Sequence, residues 1–396
     1  MKDSWRFSER ELTFLQQVLD SGQVGGMAGT ANQSFENAFA KKAGAKFAIT
    51  FNSGTSTLHA ALHAVGVRSG DEVIMPALTV IANLQVVLAQ QAVPVFADID
   101  EVSFNICPTS VRSLVTEKTK AIMIVPLYGA ACDFDAFLDL SRETGIPIIN
   151  DAAQAPFLTH KGQPISSLFD ITSFSFDATK HMTTGDGGII TANSESSAQL
   201  VRKFGCLGYR DLAADNGRIR VNKDIFQNPE YSRHDDLGLN YRMSEFQAAV
   251  GLAQLEKIDA FIQLRSEIAS NYYDIVAGSN MLMPQSQHFV PDHSYWTFAC
   301  RLVAPDVTWV EFRRKFIESG GSGIYAAWRL LYQEELFRSG RWKSHAEDRY
   351  ENYQLTPCNV AEEIQPQLMQ FPLNQRSLSA ACSDLDALDA TLRYFS

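Results

Sequence analysis

Apolar residues from Phe47 onward fall into short runs separated by turn residues and by longer segments of helical period. The pattern predicts strands at 47–51, 72–75, 93–98, 121–125 and 147–150, with helices at 55–65, 79–91 and 134–144 between them. Charge is sparse in the strand runs, as expected where crossover helices cover both faces of a parallel sheet. Further strands are predicted at 171–176 and 188–192 and a helix at 197–204. The expected large domain is therefore a three-layer α/β/α unit with a mainly parallel sheet. Helical period returns at 244–258, through Ala248, Val250, Leu252, Leu255 and Ile258, and extends to Ile268. Beyond it lie a strand-like 295–303, helices at 310–318 and 384–394, and a Trp- and Tyr-rich loop from Gly320 to Trp342, which together predict a smaller α+β domain.

Upstream, Ser8 and Glu11 have the spacing of a capping box and Phe7 and Leu12 that of a hydrophobic staple, so a helix is expected through 21. Gly22, Gly25, Gly26 and Gly29 predict a loop and 35–43 a second helix; this arm is expected to lie outside the core. Residues 207–238 are polar and aperiodic, and predict a surface excursion that reaches a partner subunit or gates the site. The expected division is an arm over 1–30, a large domain over 31–258 and a small domain over 259–396.

Composition narrows the function classes. A chain of 396 residues with 45% hydrophobic residues exceeds the roughly 250–300 at which a single core stops growing. A net charge of −11 without a long basic run disfavours nucleic acid and anionic membranes as partners. No window approaches the roughly 20 apolar residues of a membrane span, and the N-terminus opens with charges where a signal peptide would be apolar, so a cytoplasmic protein is expected. The six cysteines show no Cys-x-x-Cys spacing, and His59 and His63, four apart, lack the glutamate of a zinc-protease helix; no metal site is expected. Nor does Gly-x-Gly-x-x-Gly follow the first strand.

Two residues carry candidate chemistry. Asp151 closes the run Pro147–Ile149 at the carboxyl end of a strand, where α/β proteins bind ligands, although an acid here also serves as a helix N-cap. Lys180 follows an alternating strand and precedes a glycine turn (Gly185, Gly187, Gly188); lysines are mostly solvated surface groups, but a desolvated one is a nucleophile. A lysine matched to a buried carboxylate is what pyridoxal phosphate requires. Ser53-Gly54-Thr55, between a strand and a helix, reads either as a phosphate cradle or as an ordinary N-cap.

Asp-Ala-Ala-Gln (151–154), Ser-Phe-Ser-Phe-x-x-x-Lys (173–180), Gly-Asp-Gly-Gly (185–188) and Asn-Tyr-Arg-Met-Ser-Glu-Phe-Gln-Ala-Ala (240–249) resemble the keto-sugar aminotransferases named after DegT, DnrJ and StrS, in the aspartate aminotransferase superfamily. The resemblance covers essentially the whole chain and implies fold type I, pyridoxal 5′-phosphate and a homodimer with shared sites. It implies that Lys180 forms the Schiff base and that Asp151 pairs with the pyridinium nitrogen. Gly54, Thr55 and Ser175 would then hold the phosphate, Gln154 the phenolic oxygen, and Asn240 or Arg242 the partner's phosphate. Val80 stands where many members stack an aromatic ring on the cofactor, and Asp186 replaces the more usual glutamate. The implied reaction moves an amino group from glutamate or glutamine to a keto-sugar, commonly nucleotide-linked. Trp328, Arg329 and Tyr332, with Arg338 and Arg341, are candidates for the acceptor pocket. An unlinked keto-sugar acid or keto-cyclitol is the alternative acceptor, and a non-catalytic cofactor-binding sensor the alternative role. The family's dehydratase branch carries histidine where Lys180 stands.

Overall fold

Seven strands form one sheet: β1 (Phe47–Phe51), β2 (Glu72–Pro76), β3 (Val93–Ala97), β4 (Thr119–Ile124), β5 (Ile148–Asp151), and, after the two-residue strands β6 (Thr159–His160) and β7 (Gln163–Pro164), β8 (Ile171–Ser175) and β9 (Gly188–Ala192). The computed structural model describes residues 6–27, 29–219, 221–286, 293–345 and 353–396. The first five residues, on which the absence of a signal peptide was judged, and Arg220 in the polar excursion lie outside the described residues. The order is β1-β9-β8-β5-β4-β2-β3. Pairing is parallel from β8 through β5, β4 and β2 to β3, while β9 runs antiparallel to both β8 and β1. Alternate residues enter opposite layers: Val73 and Met75 join one core and Ile74 the other. The sheet is thus the middle of the expected three layers.

A second, antiparallel sheet has the order β10-β11-β13-β12, from β10 (Leu282–Pro284), β11 (Thr297–Leu302), β12 (Tyr325–Ala326) and β13 (Leu368–Pro372). Both sheets are bound to one 32-residue helix, Glu245–Val276, started by a Ser244–Gln247 capping box. Its first half, through Phe261, packs in the large-sheet core; from Ile268 it packs with β11 and β13. Leu330, Leu331, Phe337, Ala361 and Ile364 return to the large sheet's core, and the amide of Leu331 donates to the Ala77 carbonyl at 2.9 Å. No described helix is long and apolar enough to cross a membrane.

The N-terminal arm is not peripheral. Phe35 and Phe39 are fully buried on the helix Ala31–Ala43 and meet Phe174 and Phe176 of the β8 region. Four residues apart, they share a helix face that the hydrophobic effect drives inward. The capping box at Ser8 and Glu11 forms, but Phe7 and Leu12 stay 39% and 47% exposed. Glu11 is instead buried against Gln254 and Lys257 of the long helix, which locks the arm across it. Among its described residues the 207–238 excursion is mostly exposed or half-buried, with a short helix at Lys223–Gln227.

Candidate active site

Asp151 is the last residue of β5 and is 1% exposed. Its Oδ1 accepts from the Ala153 amide at 3.1 Å and its Oδ2 from Asn83 Nδ2 at 3.1 Å. Burial pushes the carboxyl above its usual range, against the two hydrogen bonds and the charge of Lys180. A buried acid whose nearest cation is not in contact fits a ligand that brings a positive N–H to it.

Lys180 lies five residues beyond the end of β8, in a turn where its amide donates to the Asp177 carbonyl at 3.0 Å. The guanidinium of Arg6 donates to the carbonyls of Ala178 and Lys180, pinning the same turn. Lys180 Nζ sits 4.6 Å from the centroid of the Trp296 ring. Burial pushes the amine below the ordinary lysine range; Asp151 and then Asp177 oppose it. An amine displaced in that direction holds more of its population as the free nucleophile.

The third part is the turn between β1 and the helix Gly54–Ala64. Ser53 caps the helix through a reciprocal pair with Ser56, so the backbone amides of the first turn face outward. A Cβ on Gly54 would stand 2.7 Å from Ser175 Cβ and 3.0 Å from Ser175 Oγ, so only glycine permits this approach. The hydroxyls of Thr57 and Ser173 meet at 2.6 Å and tie the helix to β8.

These parts line one cavity of about 890 Å³. It brings together Gly54, Thr55, Val80, Asp151, Ser175, Lys180 and Trp328 from the sequence-predicted set. The remainder lie elsewhere. Gln154 is buried with Oε1 accepting from the Tyr128 amide at 2.6 Å and is not in the lining. Tyr332 is buried outside the lining, on Phe96, with its hydroxyl donating to Glu362 Oε1 at 2.8 Å. Arg329 is exposed and outside the lining. Asn240 is exposed, and Arg242 is half-buried beside Cys206 and Met243, its Nη1 without a hydrogen-bond partner among the described residues. His59 bonds Tyr241 and Gln90, and His63 stacks on Phe204; among the described residues no group of His, Cys, Asp and Glu could hold a metal.

Sequence reasoning missed Asn83, Trp296 and Arg265. Asn83 faces inward from the first turn of the helix Ala82–Ala89 and had no motif around it. Trp296 opens the β11 region, its ring stacked at 5.8 Å and 20° on Trp328. Arg265 projects from the middle of the long helix, and the one signal for it was a cation on a face otherwise apolar.

A family model, the DegT/DnrJ/EryC1/StrS aminotransferase family, matches residues 6–381. The chain belongs to that family. It is 36% identical over 299 residues to a GDP-perosamine synthase of Caulobacter vibrioides, covering 75% of this chain and 76% of that one. It is 37% identical over 264 residues to the spore coat polysaccharide biosynthesis protein SpsC of Bacillus subtilis, covering 67% and 66%. An aminotransferase from Psychrobacter cryohalolentis superposes with a TM-score of 0.85 at 26% identity, covering 98% of both chains.

The protein is accordingly a fold type I aminotransferase whose cofactor is pyridoxal 5′-phosphate. The cavity fits that group: a buried carboxylate faces it at one side, an amine lies within, and a helix N-terminus approached by a glycine opens toward it.

Proposed function

We propose that this aminotransferase carries an amino group from glutamate or glutamine to a nucleotide-linked keto-sugar in amino-sugar biosynthesis. The observation that carries this is the single cavity of about 890 Å³ joining Lys180 and Asp151 to an aromatic wall of Trp296, Tyr325 and Trp328. That volume is near the upper end for small-molecule sites, room for a cofactor and a flat-faced sugar together. Similarity to proteins named GDP-perosamine synthase and spore coat polysaccharide biosynthesis protein supports a nucleotide-linked acceptor.

When bound, pyridoxal phosphate supplies an electron-withdrawing ring that stabilises the carbanion left as the donor's Cα–H bond breaks. Lys180 Nζ takes that proton, and its lowered basicity suits the task. Asp151 holds a proton on the ring nitrogen, which is why a buried acid fixed by Asn83 is useful there. Gly54, Thr55 and Ser175 bind the phosphate, and Val80 covers the ring with an aliphatic face. Trp328 is the acceptor contact of the predicted trio that lines the cavity. Asn240, exposed as it is, and Arg242, its Nη1 unpaired among the described residues, are the residues of a second subunit's site in a homodimer. On this reading the units around the cleft are an arm over 1–30, a large domain over 31–258 and a small domain over 259–396.

A panel of acceptors tests the reading: nucleotide-linked keto-sugars, free keto-cyclitols and keto-octulosonates, each followed for amine incorporation. Turnover of the nucleotide-linked members at least about 10²-fold above the others is expected. Preference for an unlinked acid overturns it in favour of that acceptor.

A further inference from the structure

Trp296 is held from four sides. Its amide donates to the Tyr128 carbonyl at 2.9 Å, and its carbonyl accepts from Arg265 Nη1 at 2.8 Å. Its indole Nε1 donates to the carbonyl of Thr179, the residue before Lys180, at 3.2 Å, and its ring stacks on Trp328 at 5.8 Å and 20°. Trp328 in turn stacks at 6.3 Å and 25° on Tyr128, which is fully buried. Gly129 permits the approach: at its φ of +102°, a Cβ would stand 2.7 Å from the Tyr295 amide nitrogen and 3.0 Å from that of Trp296. The indole plane is thus fixed jointly by the large sheet, the long helix and the lysine turn.

That orientation turns the face of the ring toward Lys180 Nζ, 4.6 Å from the centroid. Among the described residues Nζ makes no hydrogen bond and no ion pair, so the indole is the group that receives it. The charges around the amine come from several elements: Asp151 at the end of β5, Asp177 in its own turn, Asp186 in the glycine turn, Arg265 on the long helix and Arg6 on the arm. His181, next in the chain, is held neutral, first by burial. A π face attracts an ammonium and not a neutral amine, and more strongly as water is excluded.

We propose that Trp296 is a positioning residue for Lys180: its indole face seats the ε-amine in its protonated form whenever that amine is not bonded to the cofactor. The freed amine takes a proton as the donor's Cα–H bond breaks; the electron pair stays with the carbon and Nζ becomes an ammonium. A rigid π face beside Nζ stabilises that charge as it forms and keeps the nitrogen within reach of the carbon on which it acts. Leu or Met in this place would fill space without either effect. The inference rests on the role given above to Lys180 and not on the nature of the acceptor.

The test is the ionisation of Lys180 in the cofactor-free enzyme, read as the pH dependence of its acetylation by acetic anhydride and quantified at that residue by mass spectrometry. Native protein is compared with Trp296→Phe, which keeps a π face and loses the bond to Thr179, and with Trp296→Leu, which loses both. The midpoint should fall by about half a unit to one unit in Trp296→Leu and by less than half as much in Trp296→Phe. With cofactor and L-glutamate, the donor half-reaction of Trp296→Leu should slow about 10-fold in kcat while the donor KM stays within about twofold. A midpoint that does not move overturns the inference, and so does one that rises, as release of the amine from burial alone would make it. An equal fall in Trp296→Phe also overturns it, because the effect then belongs to the Thr179 bond; unchanged kcat in Trp296→Leu does the same. Should Trp296→Leu fail to fold, native cofactor-free protein decides after reductive methylation with 13C-formaldehyde. The Lys180 methyl resonance, assigned by its absence in Lys180→Arg, should lie upfield of the other lysines through the indole ring current, and a position among them overturns the inference. Native holoenzyme in which borohydride fixes no cofactor on Lys180 defeats the role of Lys180 itself, whereas the titration uses no cofactor and stands or falls separately.

Discussion

The side-chain amide of Asn83 donates to Oδ2 of Asp151 at 3.1 Å, from a different helix and 68 residues away in the chain. Without cofactor, Asp151 is a buried acid whose folded-state affinity for a proton is raised above that of the unfolded chain. A raised pKa contributes stability that is present at low pH and lost as pH rises through the folded value. The cofactor-free protein therefore bears the cost of an ionised, buried carboxylate at neutral pH. Asp151→Asn should be more stable than native protein there, by on the order of 1 kcal/mol, and the advantage should vanish toward acidic pH. Thermal melts across pH of the cofactor-free forms check this; a less stable variant at neutral pH refutes it. The same variant should transaminate at least about 10²-fold more slowly, because an amide cannot hold the ring nitrogen's proton.

Lys180 presents the opposite sign. Its folded-state pKa lies below that of a free lysine, so the folded cofactor-free protein gains stability as pH rises toward the ordinary lysine value. Lys180→Ala should fold, bind pyridoxal phosphate, and show neither the borohydride-sensitive absorbance of the native holoenzyme nor transamination, with a loss of about 10³-fold or more. Full activity in Lys180→Ala would remove the mechanism.

Gly54 has no room for a side chain: the added Cβ would meet Ser175 at 2.7 Å, within the turn proposed to hold the phosphate. Gly54→Ala should leave the circular dichroism spectrum unchanged and raise the dissociation constant for pyridoxal phosphate about tenfold or more, since the turn, Ser175 or both must shift. Equilibrium dialysis measures it. Unaltered affinity would show that the phosphate does not lie against Gly54.

The large sheet was legible because its strands are runs of apolar residues separated by helices, a pattern that does not depend on distant contacts. The spacings around Asp151 and Lys180 were legible for a similar reason: each is set by a strand end and the turn that follows it. What escaped was whatever depended on packing between distant elements. The helix Ala31–Ala43 reads as a short amphipathic segment, and nothing local says that Phe39 will meet Phe174. β13 lies after a polar stretch and is made a strand by pairing with β11. Tyr332 offered a flat ring by composition, but the ring is consumed by Phe96 and the hydroxyl by Glu362.

The shared-site proposal makes the sharpest prediction. Asn240 is exposed and absent from its own chain's cavity lining, and on that proposal its contact with the phosphate would be made in a second copy. Asn240→Asp places a negative charge where the phosphate would lie and should weaken cofactor binding about tenfold or more. Lys180→Ala homodimers lack the amine. In a mixed dimer, one site combines both defects, while the other has native Lys180 from one chain and native Asn240 from its partner. Unfolding and refolding an equimolar mixture of the two variants at limiting cofactor should therefore restore activity toward about a quarter of native, the share of sites made whole by random pairing. If Asn240 serves its own chain, no mixed site is whole and the mixture stays as inactive as its parts.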